Sequence, residues 1–191
     1  APGDLEKQQP VEEPATPPDG GLGWLVVASS FVAVFCSYGF LNSYGVYAEF
    51  YKNNLYKDTP AAVIALIGTL QITFLSAAGP FASPLSSLVG GFKIVIAMGG
   101  VIMGLGMIIA SFAKSIAMLI IFQGIVVGIG SGLCVTLCVS VPASWFTKRR
   151  GLAIGIVWSG SGLGGVAFAP MTRKLMSTVG VEWALRISGI L

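Results

Sequence analysis

The sequence contains no histidine and little charge: 8 acidic and 11 basic side chains in 191 residues, or 10%. A soluble domain of this length carries roughly 25% charged residues to hold its surface in water. With hydrophobic residues at 54% and a mean hydropathy of +0.84, the chain is read as an integral membrane protein. The acids are Asp4, Glu6, Glu12, Glu13, Asp19, Glu49, Asp58 and Glu182, all in the N-terminal tail or near the ends of apolar runs. No ionisable group is expected deep in a span, where an ion-coupled pump usually keeps one. With no paired carboxylates in the spans and no Walker-type lysine, no catalytic constellation forms, and the chain is not read as an enzyme. The net charge of +3 includes no block of like charge beyond Lys148, Arg149 and Arg150, which argues against a nucleic-acid partner. Cysteine is scarce as well. Cys36, Cys134 and Cys138 all lie in apolar runs and are expected to pack as small side chains rather than form disulfides. Without histidine they cannot complete a zinc set, so neither a metal nor a cofactor is expected.

What the chain does have is long apolar runs. Two glycine-rich stretches between Gln123 and Pro170 flank the cluster Lys148, Arg149 and Arg150. About 20 apolar residues suffice to cross a bilayer as a helix. The three cations cannot sit in hydrocarbon, so they mark a water-facing turn between two spans, with the cytoplasm as the favoured side. The whole chain reads as an all-α polytopic membrane protein, with spans at about 22–48, 60–89, 94–112, 115–144 and 151–171. A sixth begins near 183. Residues 49–59 read as a wet loop, and Arg173 and Lys174 as the end of the fifth span. The proline- and charge-rich stretch 1–18 cannot bury enough surface to offset its ordering entropy and is expected to be a disordered, cytoplasmic tail. It does not have the pattern of a secretory signal. Because it begins with Ala, the N-terminus is expected to be processed or incomplete, and the chain to stop within its sixth helix.

Few polar side chains interrupt these runs. Tyr38 and Asn42 lie four apart on one helical face of the first span. A buried asparagine in lipid needs either an interhelical hydrogen bond or a polar cavity, and both remain open here. Gln71, in the middle of the second span, is likewise either helix-to-helix glue or a cavity group. At the span ends, Asp19 suits a helix cap and Trp24 the headgroup layer, while Trp145, Lys148 and Arg149 set helix ends and orientation. Gly124, Gly128 and Gly132 repeat every four residues in the fourth span, and Gly155 and Ser159 in the fifth; both sets are expected to be small-residue packing seams. The glycines from Gly160 to Gly165 come close to a dinucleotide-binding fingerprint. They lack its preceding strand and soluble βαβ setting, so helix packing is the favoured reading.

Three stretches together resemble the monocarboxylate-porter family of the major facilitator superfamily, most closely its fungal members. They are Pro18-Asp19-Gly20-Gly21-Leu22-Gly23-Trp24, the run from Trp145 through Lys148-Arg149-Arg150-Gly151 to Ile156, and Val181-Glu182-Trp183-Ala184-Leu185-Arg186. The resemblance implies the N-terminal half of a twelve-helix carrier built from two six-helix halves. Such a carrier moves a small organic solute, often a carboxylate together with a proton, by alternating access. It also implies a lipid bilayer, the plasma membrane, a cytoplasmic N-terminus, and a second six-helix half or partner chain. Tyr38 falls where the family's first helix has a tyrosine near substrate. Arg150 matches an arginine that leads the fifth helix and serves substrate handling or gating. Where animal members place a lysine, this chain has the neutral Asn42, so a neutral or weakly acidic solute is expected. The expected substrate-lining set is Tyr38, Asn42, Gln71 and Arg150. The alternative is a non-transporting membrane subunit or assembly scaffold built on the same helices.

Overall fold

A computed structural model describes residues 20–190; the tail at 1–18 and Asp19, with its expected capping role, lie outside the described residues. All regular structure among the described residues is helical. Five helical runs are long and apolar enough to cross a membrane: Leu22–Leu55, Ala61–Leu88, Phe92–Ala110, Ile116–Trp145 and Arg150–Val179. The first run comprises α1 (Leu22–Asn42), α2 (Tyr44–Phe50) and a π-helical segment, Tyr51–Leu55. The next two are α3 (Ala61–Leu88) and α4 (Phe92–Ala110). The fourth comprises α5 (Ile116–Leu119), a π-helical segment Ile120–Val126, and α6 (Val127–Trp145). The fifth is α7 (Arg150–Val179), and α8 (Val181–Ile190) begins a sixth.

Two boundaries differ from those read in the sequence. The first run passes through Glu49 to Leu55, where residues 49–59 were expected as loop, and α7 continues through Arg173 and Lys174 to Val179. A charged side chain marks where a helix leaves hydrocarbon, not where its backbone hydrogen bonds stop. Backbone geometry stops them instead. Gly90 and Gly91, with φ of 89° and 141°, break the chain between α3 and α4, and Gly180, at 85°, does so between α7 and α8. Only glycine adopts such angles without steric cost.

The runs alternate between two ends of the bundle. Leu22, Lys93 and Trp145 line one cavity, at the end that carries the basic turn. Tyr56, Ala113 and Val181 meet at the other. α6 is the central helix: 61% of an apolar 18-residue stretch of the Ile116–Trp145 run is buried, against 22–33% of the matching stretches in the other four runs. It is small and apolar on nearly every side, as a helix enclosed by neighbours must be. Gly124, Gly128 and Gly132 back onto α3, where a Cβ at Gly128 would stand 2.7 Å from the Gln71 carbonyl oxygen. Gly130 backs onto α4, where a Cβ would come within 2.6 Å of the Met103 nitrogen.

α1 packs along α7, with Gly160 and Gly164 pressed against the α1 backbone at Phe31 and Phe35. The seam expected of Gly155 and Ser159 is corrected by this geometry. A Cβ at Gly155 would meet nothing within 4 Å, and Ser159 is exposed, its hydroxyl donating to the Ile156 carbonyl at 2.7 Å. A period of four residues drifts relative to the 3.6-residue turn. The buried line on α7 therefore runs through Ala153, Val157, Gly160, Gly164 and Phe168. Large apolar side chains such as Phe81, Val101 and Val166 are left exposed, as a lipid-facing surface requires.

Polar groups tie the helices together at the end away from the basic turn. The Tyr51 hydroxyl donates to Gln123 Oε1 at 3.0 Å, joining the two π-helical segments, and both side chains are buried. Tyr47 and Ser188 share a hydrogen bond of 3.1 Å, linking α2 to α8. Arg186 donates to Ser111 Oγ at 3.1 Å, and its guanidinium lies 4.4 Å from the Phe112 ring centroid and 4.9 Å from that of Trp183.

Apparent melting of the detergent-solubilised full-length protein tests these contacts. Gly128→Val overpacks a backbone-to-backbone contact and is expected to destabilise by about 1–3 kcal/mol. Gly155→Ala should hold or raise stability, by up to about 1 kcal/mol, because its Cβ enters open space and alanine favours the helix. Tyr51→Phe removes the donor to a buried Gln123 oxygen and is expected to cost about 1–2 kcal/mol. Equal melting of Gly128→Val and Gly155→Ala would refute the seam assignment.

Candidate functional site

Tyr38, Asn42 and Glu49 follow a spacing of four and then seven residues, which places them along one stripe of the first helical run. Each reaches α7. The Tyr38 ring meets Trp158 edge-on, with centroids 5.4 Å apart and planes at 65°. The Asn42 side-chain nitrogen donates to the Ser161 carbonyl oxygen at 3.2 Å. Gly165 makes this reach possible, because a Cβ there would stand 3.1 Å from that same nitrogen. Glu49 Oε2 pairs with Arg173 Nη2 at 3.1 Å. These three contacts form successive rungs up the α1–α7 seam: an aromatic pair, an amide on a helix carbonyl, and an ion pair.

The rungs are not sealed in the bundle. Tyr38 is half-buried and Asn42 exposed, and the Glu49 and Arg173 side chains are 61% and 70% exposed. Polar groups of this kind are costly against lipid and are kept where protein or water faces them. A cavity of about 320 Å³ opens beside the ion pair. The seam therefore presents an aromatic face, an amide, a carboxylate and a guanidinium in sequence.

The other residues singled out from sequence lie elsewhere. Gln71 is buried where α3 meets Gly128 of α6, and its Oε1 has no hydrogen-bond partner. It also lines a separate groove of about 460 Å³ between α3 and the first run. In that groove the Tyr44 hydroxyl donates to the Ile64 carbonyl. Arg150 is the exposed first residue of α7, beside the exposed Lys148 and Arg149, at the opposite end from Arg173. Trp24 packs edge-on against Phe146 at 5.0 Å, and Trp145 lies beside Gly23, so these aromatics close the basic-turn end of α1 and α6. The structure thus brings Tyr38 and Asn42 onto one seam and leaves Gln71 and Arg150 at two other places. The three cysteines are unbridged, with the Cys134 and Cys138 sulfurs 4.0 Å apart.

Sequence reading missed Trp158, the Ser161 carbonyl, Glu49 and Arg173. By charge alone Glu49 reads as part of the 49–59 loop and Arg173 as the end of the fifth span. The available signal was the stripe Tyr38, Asn42, Glu49, which keeps helical phase beyond the expected boundary. Trp158, set among glycine and serine in the fifth span, was a second.

The chain is similar to known proteins over nearly its whole length. The model of the Major Facilitator Superfamily matches residues 24–191. The MFS transporter asaE of Aspergillus flavus is 36% identical over 191 residues, covering 98% of this chain and 43% of that protein. The MFS-type transporter pytF of Aspergillus terreus is 37% identical over 188 residues, covering 98% of this chain and 62% of that protein. The Fujikurins efflux protein of Gibberella fujikuroi is 36% identical over 177 residues, covering 92% of this chain and 38% of that protein. The chain spans about half the length of the curated relatives it matches. With a family match over all but its N-terminal residues and five helices fit to cross a bilayer, it is an integral membrane protein that belongs to the Major Facilitator Superfamily.

Proposed function

We propose that the protein carrying this chain is a secondary transporter that moves a small organic solute across a membrane by alternating access. These helices would form its N-terminal six-helix half, facing a second half or partner chain. The observation that carries this reading is the Asn42 rung: a polar amide held on a helix carbonyl, exposed, within an otherwise apolar span. Substrate sites in such folds lie near the bilayer midplane between repeats. Tyr38 and Asn42 form the solute-facing wall, Gln71 would join them only on a rearrangement that uncovers its buried Oε1, and Arg150 serves a gate at the basic-turn end. The solute is monocarboxylate-like or neutral, in keeping with the motifs shared with the monocarboxylate porters, and a proton is a candidate co-substrate.

The N-terminus and the basic turn face the cytoplasm, and the membrane is the plasma membrane. Charge distribution supports that orientation. Lys93, Lys148, Arg149 and Arg150 are concentrated in the short connections of the basic-turn end, whereas the cations of the other end, Lys52, Lys57, Lys114, Arg173, Lys174 and Arg186, are dispersed among Glu49, Asp58 and Glu182. At that other end the cations Arg173 and Arg186 are paired with Glu49 and Glu182. A non-transporting scaffold finds no comparable support, since the relatives' names are those of transporters and an efflux protein.

Inside-out vesicles containing the full-length protein, challenged with labelled organic acids and neutral solutes, test the reading. At least one solute should cross faster than in vesicles lacking the protein, and Asn42→Leu should cut that flux roughly fivefold or more while leaving membrane insertion intact. Flux of no solute would overturn the transport reading in favour of the scaffold. Undiminished flux in Asn42→Leu would remove Asn42 from the site.

A further inference from the structure

The Glu49–Arg173 rung differs from the other arginine contact at the same end of the bundle. Arg186 is enclosed: two aromatic rings cover its guanidinium, Ser111 accepts from its Nε, and Glu182 lies 3.9 Å away. Arg173 instead makes one polar contact among the described residues, through Nη2 to Glu49 Oε2 at 3.1 Å, with 70% of its side chain exposed. A guanidinium carries five N–H donors in a planar fork suited to bidentate carboxylate binding. A single-point contact leaves most of that fork unused by the described residues. Beside it lies the cavity of about 320 Å³, with Val46, Phe50 and Met176 as apolar wall and Asn53, Asn54 and Ser177 as polar wall. Lys52, one turn beyond Glu49, is turned to the loop, where it donates to the carbonyls of Lys57 at 3.0 Å and Thr59 at 2.8 Å.

We propose that Arg173 receives the carboxylate of an organic acid with a small apolar body, and that Glu49 is the internal carboxylate which this ligand displaces. The proposal deepens the transport reading and rests on it for its place in a solute path. Exposed ion pairs hold weakly because water competes for both partners. Replacing one carboxylate by another on the same guanidinium is therefore a near-balanced exchange, which suits a station that must release its ligand. The apolar wall supplies the remaining attraction for the ligand's body, and the Asn53 and Asn54 amides can donate to its second oxygen, the Ser177 hydroxyl being given to the Lys174 carbonyl at 2.8 Å. Once displaced, Glu49 keeps its solvation, because its side chain is already 61% exposed.

An internal competitor gives a test with opposite signs. Labelled benzoate is bound to the full-length protein in lipid nanodiscs, with benzamide as the neutral isostere. Benzoate should bind more tightly than benzamide. Arg173→Gln should weaken benzoate roughly tenfold or more and leave benzamide unchanged, since it removes a charge-assisted contact. Glu49→Gln should tighten benzoate, because it removes the competing charge while keeping the side chain's size. Arg173→Lys, which keeps the charge but loses the fork, should fall between the parent and Arg173→Gln. Parallel weakening by Glu49→Gln and Arg173→Gln would make the pair merely structural and overturn the proposal. So would no benzoate binding, equal binding of benzoate and benzamide, or no effect of Glu49→Gln. A parent protein that shows the opposite shifts but moves no solute would overturn the transport reading alone. One that moves solute without the opposite shifts would overturn the Arg173 assignment alone.

Discussion

The bundle depends on how closely α6 can approach its neighbours. In a bilayer no hydrophobic effect drives one apolar helix against another, because lipid chains are as apolar as the side chains they would replace. Close packing and hydrogen bonds must do the work. Gly124 in the preceding π-helical segment and Gly128 and Gly132 of α6 let this run lie against the α3 backbone on one side, and Gly130 lets it lie against α4 on another. A side chain at any of these positions would meet backbone rather than a movable side-chain end, apart from nearby Cβ atoms. Dispersion contacts fade steeply with separation, so these glycines set the spacing at which every other interhelical contact forms.

That spacing also decides which polar groups find partners. Gln123, within the π-helical segment before α6, reaches Tyr51 of the first run. Gln71 is carried into the α3–α6 contact, where its Oε1 is left without a partner. Extra residues in a helical turn re-aim side chains, and π-helical turns recur at functional positions. Here two such segments are joined by one hydrogen bond, at the end of the bundle where Arg173 and Arg186 also lie.

The α1–α7 seam follows the same physics with a different outcome. Gly160 and Gly164 bring the two helices together, and Gly165 leaves room for Asn42 to reach a carbonyl that a larger residue would have covered. The polar rungs therefore depend on the small residues beside them. The buried side of the seam supplies cohesion, and its exposed side presents chemistry. Gly155 and Ser159 are a similarly small pair but fall on the open side of α7, where they meet no other helix among the described residues.

The sequence by itself determined the number and polarity of the helical runs. Their signal is compositional: apolar length sets the spans, and glycines such as Gly180 interrupt them. It also determined that Gly124, Gly128 and Gly132 share a stripe and that Tyr38 and Asn42 share a face, because a helix fixes those relations locally. It did not determine which stripe on α7 is buried, since Gly155–Ser159 and Gly160–Gly164 are equally small and only the position of α1 separates them. Nor did it place Glu49 and Arg173 together. They lie 124 residues apart, and each alone reads as a charge at a membrane boundary. Only the packing of α1 along α7 turns those two boundary charges into a pair on the same seam as Asn42.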